Sequence, residues 1–124
     1  MNHRQKGAER EEMAAAFLEK HGVRILAKNY AVSQGEIDLI GLHDKTLVFF
    51  EVKYRSSDRY GYPGEAVNIQ KQKKISMVSM QYIRQEKKNL PEFQAIRYDV
   101  ISILGTHITW IPAAFMYQGK GWDW

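Results

Sequence analysis

Two neighbouring apolar runs, Glu36–Leu42 and Leu47–Tyr54, carry charges where a folded core does not normally tolerate them. Asp38 lies inside the first run, and Glu51 and Lys53 lie inside the second. Both runs suit β-strands by alternation or by β-forming composition, and His43-Asp44-Lys45-Thr46 between them is a natural turn. An acid in a strand that packs on a core costs free energy unless a partner compensates it. Whatever fold the chain adopts must supply that partner, and the other elements must accommodate the hairpin from Gly35 to Arg55.

Register specifies the partner. A two-residue loop at Asp44-Lys45 pairs His43 with Thr46 and Leu42 with Leu47. Counting outward sets Asp38 opposite Glu51 and Glu36 opposite Lys53; a three-residue loop or a bulge would break this register. Directly opposed residues share a face of the sheet, and two carboxylates so placed repel each other. A divalent cation or a shared proton relieves that repulsion. Alternation sends Glu51 and Lys53 to one face and Val52 to the other. Asp38, twelve intervening residues, then Glu51-Val52-Lys53 is a set suited to phosphodiester hydrolysis. Carboxylates hold one or two Mg²⁺ or Mn²⁺ ions and leave water positions open. The ammonium orients or deprotonates the water, or stabilises the developing charge. The competing reading is a structural ion cluster of Asp38, Glu51 and Lys53.

The rest of the chain supplies the surroundings. Residues 7–21 read as a helix bracketed by Gly7 and Gly22. Its apolar positions Ala14, Ala15 and Leu18, extended back by helical spacing, reach Glu11. Glu11 is thus either a third acid aimed at the cleft or a first-turn glutamate favoured by the helix dipole. Val23–Tyr30 reads as a short strand running into a loop at 31–34. Residues 56–64 are a loop whose Arg59 and two tyrosines are expected to pack it down. Glu65 to about Lys88 reads as a long helix with Ile75, Met77, Val78, Tyr82 and Ile83 along its apolar side. Lys71, Lys73 and Lys74 in its first half, with Arg55 at the end of the second strand, are the expected nucleic-acid contacts. Arg97–Leu104 and His107–Ile111 form a second hairpin across Gly105-Thr106, in which Asp99 is expected to be structural. The tail 118–124 either packs on the domain, reaches a neighbour or stays mobile.

Composition narrows the classes. The 124 residues suffice for one domain with a core, 1–124, and are too few for two. No cysteine is present, which excludes disulfide scaffolds and thiolate zinc sites and fits a reducing cytoplasm. No apolar run is long enough for a bilayer, and MNHRQKGAEREE lacks a signal peptide's apolar core, so a soluble, cytoplasmic protein without a membrane partner is expected. The net charge of +4 is unevenly placed: residues 1–52 carry seven bases and eight acids, residues 53–124 eleven and six. A late basic excess permits a polyanionic partner. GxGxxG, GxxxxGK[ST], HExxH and GxSxG are all absent.

The run from Glu11 to Leu18 (E-x-x-A-x-x-x-L), G-V-R-I-L at 22–26, Asn29-Tyr30, G-E-I-D-L-I at 35–40 and F-E-V-K-x-R at 50–55 resembles the bacterial YraN family of endonuclease-like proteins. The likeness continues through Tyr60-Gly61, Glu65-Ala66-Val67, Lys71, Lys74 and Arg97-Tyr98-Asp99-Val100 to Ala114-Phe115, nearly the whole chain. It implies an α/β (α+β) restriction endonuclease-like fold, a mixed central β-sheet flanked by helices, similar to Holliday-junction resolvases and PD-(D/E)xK nucleases. It implies metal acids at Glu11, Asp38 and Glu51 and a catalytic lysine at Lys53. Ile37 stands where the superfamily name has proline. Ala31 stands where many relatives have arginine, which weakens the case for a phosphate contact there.

The expectation is a Mg²⁺-dependent nuclease acting on DNA, branched or single-stranded, with a homodimer as the assembly that junction cutting would require. The alternative is a nucleic-acid-binding accessory module of the same fold without turnover.

Overall fold

A computed structural model describes residues 3–55 and 67–119. The order of elements is α1 (His3–Lys20), β1 (Val23–Val32), β2 (Gly35–His43), β3 (Thr46–Arg55), α2 (Ile69–Glu86), β4 (Ala95–Leu104) and β5 (His107–Phe115). The five strands form one mixed sheet in the order β1-β2-β3-β4-β5. All neighbours are antiparallel except β3 and β4, which run parallel from Thr46–Ala95 to Arg55–Leu104. A parallel pair needs a crossover, and the segment containing α2 provides it. This is the mixed sheet flanked by helices that the sequence anticipates.

The sheet is covered on both faces. Ala14, Ala15 and Leu18 of α1 pack with Val23, Leu39, Val48, Phe50, Ile101 and Ile103. Ile75, Val78, Tyr82 and Ile83 of α2 pack with Ile37, Ile40, Leu47, Phe49, Tyr98 and Val100. Central strands buried on both sides explain why β3 reads as nearly continuous apolar sequence rather than strict alternation. Among the described residues no helix is long and apolar enough to cross a membrane.

Several expected boundaries move, each for a local reason. Helix α1 begins at His3, so Glu11 lies in its third turn and the dipole explanation for it falls away. The loop expected at 31–34 shrinks to a turn at Ser33-Gln34, because β1 stays paired with β2 through Val32–Gly35. Helix α2 begins at Ile69, since Asn68 caps it: the Asn68 side chain accepts the Lys71 amide hydrogen at 2.9 Å. Met77 is 53% exposed and leaves the apolar side, whereas Met80 is buried; two residues on from Ile75, Met77 points away from the sheet. Strand β5 extends past Ile111 to Phe115 through a bulge opposite Asp99. Buried Asp99 fills that bulge as a structural acid. It accepts hydrogen bonds from the Ala113 amide and Trp110 Nε1, both at 2.9 Å, and pairs with Arg97. The 56–64 loop and residues 120–124 lie outside the described residues.

Candidate active site

The site forms where β2 parts from β3. The expected register holds from His43–Thr46 to Leu39–Phe50, and there the ladder stops. Asp38 is next in line, and it closes the gap with its side chain: Oδ2 accepts the Val52 amide hydrogen at 2.8 Å. That amide would otherwise be an orphan on the open side of β3. Ile37 packs on the α2 side of the sheet and Leu39 on the α1 side, so β2 turns over at Asp38. Asp38 accordingly lines two clefts. One, of about 410 Å³ on the α2 side, also takes in Glu36, Glu51, Asn68, Lys71 and Lys74. The other, of about 120 Å³ on the α1 side, includes Arg10, Glu11, Val52 and Tyr54.

Glu51 is 6% exposed. It lies in hydrogen-bonding reach of Asp38 and pairs with Lys71 Nζ at 3.0 Å. Glu11 comes from α1 and is hydrogen-bonded to the side chain of Asn29. Asn29 sits where β1 passes Asp38 and has φ 53°, a left-handed conformation that asparagine tolerates better than most residues. Extrapolating the ladder sets Glu36 opposite Lys53. Because the ladder ends at Leu39, Glu36 instead joins Glu11 and Asp38, with one oxygen from each lying within 4.8 Å of the others.

Burial and mutual repulsion show in the acidities. Burial, then the charge of Glu51 and more weakly that of Glu11, push the Asp38 carboxyl up to about 8, while the Val52 amide pulls the other way. Burial also raises Glu11, helped by Glu36 and opposed by Asn29 and Lys28. Lys53 is lowered by burial and by neighbouring Lys71, against the pull of Glu51 and Asp38. Burial works against the Lys71 ammonium too, yet Glu51 outweighs it and Lys71 is raised.

The donor set is all carboxylate, which suits hard cations such as Mg²⁺ and Mn²⁺. A divalent cation would also offset the burial and mutual repulsion that raise Asp38 and Glu11, so these residues fit a metal. The structure brings Glu11, Asp38, Glu51 and Lys53, the set that the family resemblance implies, into one charge network. Lys71 and Lys74 line the same cleft; Lys73 is exposed and lies outside it. Arg55 ends β3, opposite Leu104. Glu36 and Asn29 are the residues that sequence reasoning missed. Asn29 stands in the Asn-Tyr pair, and a left-handed asparagine inside a strand pattern leaves no periodic trace. A larger cavity of about 500 Å³, lined by Ile83, Leu90, Phe93 and Ile96 among others, contains no acid.

Residues 10–103 match the family described as "Uncharacterised protein family UPF0102". A UPF0102 protein of Lachnoclostridium phytofermentans is 40% identical over 120 residues, covering 97% of this chain and all of that protein. One from Cytophaga hutchinsonii is 42% identical over 109 residues, 87% of this chain and 92% of the relative. Among solved structures, that of Pyrococcus furiosus SfsA in complex with Ca²⁺ is similar over 87% of this chain. The two are 16% identical with a TM-score of 0.33, and this chain spans 61% of that one.

Proposed function

The chain belongs to uncharacterised protein family UPF0102, a description that carries no activity, and from the site's geometry we propose that it is a metal-dependent nuclease. Its substrate is DNA, branched or single-stranded, in repair or recombination. The observation that carries this reading is the convergence of Glu11, Glu36 and Asp38 within 4.8 Å, beside Glu51 and with Lys53 in the same charge network. Glu11, Glu36 and Asp38 would hold the Mg²⁺ or Mn²⁺, one ion or two, with Glu51 alongside. A bound ion supplies charge neutralisation on the phosphoryl oxygens and a more acidic water.

The chain's own residues do the rest. Asp38 is fixed by the Val52 amide, so its second oxygen is presented to the cleft in one orientation. Burial and Lys71 lower Lys53, which favours its taking a proton from water, and when charged it stabilises the negative charge that builds up. Lys74 and Lys73, exposed on α2, together with the basic excess of the second half of the chain, supply attraction for a polyanion. The setting is the cytoplasm, with no membrane partner. A homodimer is the assembly that cutting both sides of a junction would need.

The test is cleavage of linear, flapped and four-way-junction DNA with Mg²⁺ or Mn²⁺. Asp38→Asn and Lys53→Met should each lower the rate by about 10²–10⁴-fold. No cutting of any substrate with either metal would sink the enzyme reading.

The ion pair of Glu51 with Lys71 favours a second reading, a nucleic-acid-binding module without turnover. It expects salt-sensitive DNA binding that survives Asp38→Asn and is lost when Lys71, Lys73 and Lys74 are replaced.

A further inference from the structure

The α2-side cleft contains one contact that phosphodiester hydrolysis does not require. Glu51, nearly sealed from solvent, is held by Lys71 at 3.0 Å. Lys71 is also close enough to Lys53 for the two ammoniums to repel each other, which is unfavourable unless an acid is near both, and Glu51 acts on both. Meanwhile Glu11, Glu36 and Asp38 gather within 4.8 Å without it. One acid of the site, while within reach of Asp38, is therefore also tied to an internal ammonium.

We propose that Lys71 is an internal counter-ion for Glu51 which a divalent cation must displace, and that the displaced ammonium becomes a contact for a phosphodiester in the same cleft. The proposal rests on the metal-binding reading of the site. Its mechanical basis is the start of α2. Asn68 caps the helix at the Lys71 amide, so the Lys71 backbone is fixed while its side chain, 41% exposed, is free to turn outward. Lys74, one helical turn on and exposed, already lines the cleft. An outward-turned Lys71 would put two ammoniums on one helical face, beside the helix N-terminus, where a phosphate is favoured. Metal and polyanion then help each other to bind, because each favours the form in which Lys71 has left Glu51.

The experiment is calorimetric titration of Mn²⁺ into the full chain and its variants. Lys71→Met should bind Mn²⁺ about 10-fold tighter than the unaltered chain, because no competitor holds Glu51. Lys74→Met removes the same charge from the same cleft and should gain less than about 3-fold, the screened long-range share. Lys71→Arg should keep the unaltered affinity. The gain from Lys71→Met should vanish in a Glu51→Gln background. A phosphorothioate oligonucleotide, which resists cutting, should raise the Mn²⁺ affinity of the unaltered chain but not of Lys71→Met. Melting without metal checks folding: Lys71→Met should melt lower, having lost the partner of a buried acid, and should regain more on adding Mn²⁺. Equal gains in Lys71→Met and Lys74→Met, or a gain that persists with Glu51→Gln, would overturn the counter-ion role. An oligonucleotide effect that is the same in Lys71→Met would overturn the phosphate contact. Absence of Mn²⁺ binding in every protein would overturn both this proposal and the metal-dependent reading beneath it.

Discussion

Asp38 carries two duties that pull against each other. It satisfies the Val52 amide where β3 loses its partner, and it brings a charge into a half-buried acidic group. The second duty makes stability depend on pH. The carboxyl titrates near its ordinary 3.8 in the unfolded chain and at about 8 in the folded one. Between those values the folded chain binds a proton that the unfolded chain has released, so metal-free stability should fall as pH rises from about 4 to about 8. Urea unfolding across that range checks this. Asp38→Asn should flatten the curve and, near pH 8, stabilise the metal-free chain by at least about 1.4 kcal/mol, one unit of relief. Metal favours the ionised form, so Mn²⁺ affinity should rise over the same range. Periodicity in the sequence reached Glu11, Asp38, Glu51 and Lys53. It missed Glu36, because pairing Glu36 with Lys53 assumed a ladder that stops at Leu39. Where a strand leaves its sheet is decided by tertiary packing and leaves no mark on alternation.

At the scale of elements, two features hold the site's frame. Gly41 lies where β1 bulges between Ile25 and Ala27, and a Cβ there would come within 2.7 Å of Val23 Cγ1 and 3.0 Å of the Arg24 carbonyl. Gly41→Ala should therefore cost about 1–3 kcal/mol by overpacking, measured by denaturant unfolding. Asn68 fixes the first turn of α2, and Asn68→Ala should cost about 1 kcal/mol. It should also loosen Lys71 from Glu51, visible in the lysine Nζ resonances. The hairpin β2–β3 was legible because Asp44-Lys45 is a short turn that dictates register, and Asp44 does take the positive φ, 54°, that such turns ask for. The bulges in β1 and β5 were not legible. Their causes are a close backbone approach at Gly41 and a buried acid at Asp99, and both depend on residues distant in sequence.

At the scale of the molecule, the topology explains why the charges sit where they do. A three-stranded antiparallel meander, β1–β2–β3, and the hairpin β4–β5 are joined side by side through the parallel pair β3–β4, with α1 on one face and α2 on the other. The sequence suggests the two hairpins and the two helices. It does not say which strands meet, because a parallel pairing is made through a crossover and no turn residue marks it. Once β3 pairs with β4 along its whole length, β2 is free to leave β3 at Asp38. The acids then collect at that parting, between the third turn of α1 and the first turn of α2. The central claim is that this parting holds a divalent cation. Crystals soaked in Mn²⁺ and measured at the manganese absorption edge test it most directly. The expected result is an anomalous peak about 2–2.6 Å from an Asp38 oxygen, with Glu11, Glu36 or Glu51 completing the shell. A saturating soak that leaves no peak at Asp38, with Lys71 still on Glu51, would contradict it.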